Sequence, residues 1–148
     1  MCIYALLVRV SGRSTVPAPQ AHRHILGSDA IEAAMKCARQ YWWELGEDRT
    51  CFIARKQSYH GATLGALALS GHQERRKLYE CLLTSRVSHV SACNPYHDRK
   101  EGQSDEQYVH EKAKELDDEF QRLGPKKVIA FVAEPVVGAV SVFSHFAA

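Results

Sequence analysis

The chain has 148 residues, of which 45% are hydrophobic and 24% charged, the make-up of one ordinary globular domain. A formal net charge of +2, with its basic residues scattered, excludes the basic stripe that nucleic acid or an anionic membrane surface requires. Five cysteines (Cys2, Cys37, Cys51, Cys81 and Cys93) form neither a Cys-x-x-Cys pair nor a zinc spacing, so no disulfide framework and no metal site is expected. Their odd count favours a reducing compartment, with Cys37 and Cys51 read as small hydrophobes in apolar settings.

Residues 1–26 are read as an irregular segment that belongs to no element. Cys2 to Val8 is apolar but too short to span a membrane, and no positive region precedes it as in a signal peptide. Arg9, Arg13 and Arg23 precede the first acid, Asp29, a composition also compatible with a mitochondrial transit peptide. Pro17-Ala18-Pro19 marks a loop.

Order begins at Gly27-Ser28-Asp29-Ala30. Ile31, Ala34, Met35, Ala38, Tyr41, Trp42 and Leu45 recur at helical spacing, and Gly46 supplies a stop. Ser28 or Asp29 can cap this helix, with Glu32 completing a capping box and pairing with Lys36. Gly27-Ser28 also puts bare amides, a hydroxyl and the positive helix end together, which suits a phosphate.

Cys51 to Ala54 is a short apolar run that reads as a buried strand. It breaks into Ser58-Tyr59-His60-Gly61 before an alanine-rich helix expected over Ala62–Ser70 and ended by Gly71. Open α/β sheets hold ligands at such strand-to-helix turns. There a tyrosine offers a flat face to a ring, and a glycine lets backbone approach closely.

Gln73 to Leu83 is charged surface helix or loop, Val87 to Val90 a short strand, and Asn94-Pro95-Tyr96 a turn. Ser104 and Gln107 form a capping box for a second helix, whose apolar stripe is Val109, Ala113, Leu116, Phe120 and Leu123. Gly124-Pro125 ends it. Val128 to Ala133 is an unbroken apolar run suited to a parallel sheet covered on both faces, and Glu134 stands at its carboxyl end. Alternating helices and strands imply an α/β fold with a mainly parallel sheet flanked by helices.

Three pieces, Gly27 to Lys36, Ser58 to Thr63, and Phe131-Val132-Ala133-Glu134-Pro135-Val136-Val137-Gly138, together resemble the large domain of class III aminotransferases, the fold type I pyridoxal-phosphate enzymes. The resemblance runs from about Gly27 to Ala139, so residues 27–140 are read as a partial cofactor-binding domain and 141–148 as an irregular tail. It implies that Gly27 and Ser28 hold the cofactor phosphate, that Tyr59 stacks on the pyridine ring with His60 and Gly61 beside it, and that Glu134 lies near the substrate side. It also implies a small amino donor, a keto acid acceptor and a homodimer. The expected compartment is the cytoplasm.

The sequence departs from the family pattern in three ways. Leu26 stands where a serine usually precedes the glycine of the phosphate cup. No Asp-Glu-Val strand carries an aspartate for the pyridine nitrogen. None of Lys36, Lys56, Lys77, Lys100, Lys112, Lys114, Lys126 and Lys127 follows such a strand as the Schiff-base lysine would. The chain is therefore expected to be part of the cofactor domain, without turnover by itself; the competing reading is a non-catalytic α/β module that binds a phosphate or cofactor. An incomplete sheet is further expected to expose an apolar patch beside Val128–Ala133.

Overall fold

The computed structural model describes residues 5–7 and 27–134. Four strands form one sheet in the order β1-β4-β2-β3: β1 (Ala5–Leu7), β4 (Val128–Ala133), β2 (Cys51–Arg55) and β3 (Val87–Val90). β2 runs parallel to both β3 and β4, while β1 pairs antiparallel with β4, setting Ala5 opposite Ala133 and Leu7 opposite Phe131. The sheet is thus mainly parallel, as part of a fold type I large domain requires.

Two expectations fail at β4. Residues 1–26 were expected to form no element, yet Ala5–Leu7 is a strand. The apolar run there supplies backbone partners to an otherwise open edge. β4 consequently has neighbours on both sides, and four of its six residues are buried. The large exposed hydrophobics lie elsewhere among the described residues, including Leu78, Tyr79 and Leu82 of the 3-10 helix Lys77–Leu82. The tail at 141–148 lies outside the described residues.

Both faces of the sheet are covered. α1 (Gly27–Glu44) and α2 (Leu64–Leu69) pack on one face through Ile31, Ala38, Trp42, Ala66 and Leu69, against Phe52, Ala54, Ile129 and Val132. α5 (Asp105–Leu123) covers the other through Leu116, Phe120 and Leu123, against Ile53, Val90 and Val128. Phe52 and Ala54 face one layer and Ile53 the other, the period-two alternation of a strand buried on both sides. Trp42 locks α1 to the sheet by donating from Nε1 to the Ile129 carbonyl at 2.8 Å.

The helix boundaries follow local chemistry. Gly46, at φ +75°, stops α1, and its N–H returns to the Trp43 carbonyl at 2.9 Å. Ser104 and Gln107 make the expected capping box on α5, and Gly124 ends that helix at φ +92°. The apolar stripe of α5 is shifted: Val109 is 64% exposed and Ala113 is exposed, while Tyr108 is buried. The sheet contact is confined to the second half of α5, so its first turns need no apolar residue at 109 or 113.

α2 is shorter than expected, because the chain bends at Ala62 and Thr63, with Thr63 extended at the N-cap, and Ser70 is its extended C-cap. α3 (Gln73–Arg76) follows, and α4 (Pro95–Asp98) is one turn where the Asn-Pro-Tyr turn was expected. Cys37 is exposed rather than apolar in setting, since it faces away from the Ile31-Ala38-Trp42 stripe. Among the described residues no helix is long and apolar enough to cross a membrane, and no group of three His, Cys, Asp or Glu side chains could hold a metal ion.

Candidate functional site

The turn between β2 and α2 is folded back on itself. Ser58 donates to the Arg55 carbonyl at 2.6 Å and accepts from the Gly71 N–H at 3.1 Å. The His60 N–H donates to Ser70 Oγ at 2.8 Å, and Ser70 Oγ donates to the Ala66 carbonyl at 2.9 Å. The exit of α2 is therefore bonded back to the loop that leads into the helix. Gly71 has to be glycine, because an added Cβ would collide with the Arg55 carbonyl and the Lys56 backbone. Arg76 ties down the far end of α2, with Nη1 donating to the carbonyls of Ala68 at 2.6 Å and Ser70 at 2.8 Å.

This loop meets the start of α1. Ser28 is the second residue of that helix rather than its cap, and its Oγ accepts from the Ala62 N–H at 3.0 Å. Gly61, at φ +141°, allows the approach: a Cβ there would stand 2.6 Å from Ser28 Oγ and 2.9 Å from Ser28 Cα. Gly27 lies beside it, exposed at the helix start. Gly27, Ser28 and Gly61 are thus brought together from positions far apart in the chain, with Tyr59 and His60 immediately before Gly61.

Tyr59 is half-buried, and the guanidinium carbon of Arg75 lies 4.5 Å from its ring centroid. Its N–H donates to Glu134 Oε1 at 2.6 Å. Glu134 is only 7% exposed, so its carboxylate braces the Tyr59 backbone from the end of β4. Arg55 in turn donates to the Glu134 carbonyl.

His60 differs from its neighbours. It is 0% exposed, and neither ring nitrogen has a hydrogen-bond partner among the described residues. Burial, then the positive fields of Arg55 and His89, lowers its pKa to about 4. The imidazole is therefore neutral at physiological pH and part of the core. His89 is also pulled below the usual histidine range, chiefly by burial, and its Nε2 lies 3.1 Å from the Leu69 carbonyl.

Sequence reasoning assigned Glu32 to its own helix. In the structure Glu32 Oε1 accepts instead from Thr63 Oγ1 at 2.7 Å, Gly65 N–H at 2.9 Å and Ala66 N–H at 3.2 Å. The available signal was in α2. Thr63 stands at its N-cap with no Glu or Gln three residues later, leaving amides that another segment must satisfy. Ser58, Ser70, Arg75 and Arg76 were also passed over, because their partners depend on how the turn folds. A separate open cleft of about 580 Å³, lined in part by Lys56, Arg76, Lys77, Glu80 and His89, includes none of the six predicted site residues.

With this geometry in place, the comparisons with known proteins decide the family. The profile of the family described as Aminotransferase class-III matches residues 11–147. The chain belongs to the class III aminotransferases. The match extends on both sides of the Gly27–Ala139 stretch that carried the resemblance. An aminotransferase of Gibberella zeae is 54% identical over 117 residues, covering 76% of this chain and 23% of that protein. An uncharacterized aminotransferase of Schizosaccharomyces pombe is 49% identical over 114 residues, covering 76% of this chain and 25% of its own length. A solved transaminase with L-Ala superimposes with a TM-score of 0.77 at 31% identity, over 85% of this chain and 29% of the other. The chain thus spans about a quarter of the length of these relatives, as part of a fold type I domain.

Proposed function

We propose that residues 27–140 form the part of an aminotransferase large domain that holds pyridoxal phosphate for amino-group transfer from an amino donor to a keto acid or aldehyde. The observation that carries this reading is the contact of Ser28 with Gly61. It sets a helix start bearing the Ser28 hydroxyl beside a turn bearing Tyr59. Ser28 Oγ accepts from Ala62, and the hydroxyl also carries a proton of the kind that can be donated to an anion. Gly27 contributes an exposed backbone amide at the positive end of α1. These residues fit a phosphorylated aromatic ring.

Each remaining residue orients or supports. Tyr59 offers its ring to the pyridine, and Glu134 holds the Tyr59 backbone. Gly61 keeps the turn against Ser28, and His60 fills the space beneath as a neutral core side chain. Pyridoxal phosphate, when bound, supplies the electron sink for the reaction. The lysine and aspartate implied by the family pattern are not among the 148 residues, so the work of this segment is binding and orientation. The working protein is proposed to be a cytoplasmic homodimer acting on small-molecule substrates.

Titration of the purified chain with pyridoxal phosphate, followed by cofactor absorbance, tests the assignment. Ser28→Ala and Tyr59→Ala are each expected to weaken binding by on the order of 1–3 kcal/mol, through a lost charge-assisted hydrogen bond and a lost stacking face. Titration curves identical to the parent chain would remove the assignment.

A further inference from the structure

Ser28 and Glu32 lie one turn apart on the same face of α1, and both reach the approach to α2. Ser28 takes the Ala62 N–H, and Glu32 takes the Thr63 hydroxyl and the N–H groups of Gly65 and Ala66. Thr63 makes no cap bond to its own helix, so the Glu32 carboxylate does the capping from another element. The fit is close: a Cβ at 65 would lie 2.5 Å from Glu32 Oε2, so a side chain there would displace the carboxylate. Docking of α1 on the sheet does not need this clamp, because Ile31, Ala38 and Trp42 provide it, together with the Trp42–Ile129 bond.

We propose that Glu32 is a positioning residue that sets the spacing between the Ser28 hydroxyl and the Tyr59 ring. A single ligand carrying both a phosphate and an aromatic ring can then use both groups at once. The inference rests on the pyridoxal phosphate reading given above. Without Glu32, the Ser28–Ala62 bond is the hydrogen bond among the described residues that still ties the Gly61–Ala66 segment to α1, beside the apolar packing of Ala66. Ser28 is the residue a phosphate would engage, so ligand and loop would pull on the same hydroxyl.

The test compares the full 148-residue chain with Glu32→Ala and Glu32→Gln, using pyridoxal 5'-phosphate and unphosphorylated pyridoxal as probes. Glu32→Ala should bind the phosphorylated probe about tenfold more weakly, the weight of one charge-assisted hydrogen bond, with pyridoxal within about twofold of the parent. Glu32→Gln retains an acceptor oxygen and should recover part of the phosphate preference. Without ligand, the Gly65 and Ala66 amides should exchange faster in Glu32→Ala while the near-ultraviolet signal of Trp42 is unchanged. A purely structural role would lower both affinities together. If the parent prefers the phosphorylated probe and Glu32→Ala keeps the whole preference, this inference alone is overturned. A parent without any such preference overturns both this inference and the cofactor reading.

Discussion

Gly61 and Ser28 are separated by 33 positions, yet a single methyl group added to Gly61 would lie 2.6 Å from the Ser28 hydroxyl oxygen. The joint between the helix start and the aromatic turn depends on that missing methyl group, and on a backbone angle of +141° that L side chains rarely adopt. Gly61→Ala is therefore expected to destabilise the chain by about 1–3 kcal/mol, the usual cost of overpacking. It should also weaken pyridoxal phosphate binding. Urea denaturation and a cofactor titration on the same preparation check the two effects.

His60 predicts a pH dependence. Its folded pKa of about 4 lies below the ordinary histidine value of 6.5, so the unfolded chain binds more protons between those values. The stability tied to neutral His60 is fully present above pH 6.5 and falls progressively as pH drops towards 4. The contribution is on the order of 3 kcal/mol. His89 shifts in the same direction and adds to the slope. His60→Leu should flatten stability across this window; an unchanged profile would show that His60 titrates normally.

Trp42 offers a separate probe of the α1 interface. It is 3% exposed, bonds to Ile129 and carries the Arg49 guanidinium 3.4 Å from its ring centroid. Trp42→Phe keeps most of the apolar bulk but removes the N–H donor and leaves the Ile129 carbonyl without that partner. A loss of about 1–3 kcal/mol is expected. Trp43, at 62% exposure, serves as the control, and Trp43→Phe should melt with the parent.

The 148-residue polypeptide should show no transamination with any common pair of amino donor and keto acid. None of its eight lysines follows an Asp-Glu-Val strand as the family pattern requires. Coupled assays with L-alanine and 2-oxoglutarate, run against a preparation purified from an empty vector, provide the measurement. Turnover above that control would show that one of the present lysines, or none, suffices.

The elements were legible in the sequence wherever one local signal dominated. Helical spacing from Ile31 to Trp42, the Ser104–Gln107 capping box and the apolar run Val128–Ala133 marked α1, α5 and β4, because period and end-capping are properties of neighbouring residues. The family was legible too, because Gly27-Ser28, Tyr59-His60-Gly61 and Glu134 stand in an order that the class III profile matches. What the sequence could not decide was partnership across the chain. A carboxylate such as Glu32 satisfies equally well the amides of its own first turn or those of another helix. Only the packing of α1 against the loop at Gly61 selects the second. An apolar run such as Ala5–Leu7 carries no record of which edge it will pair with; the open side of β4 decides that. His60 looks like a ligand beside Tyr59 until the fold encloses it, because burial depends on every element that closes over a side chain.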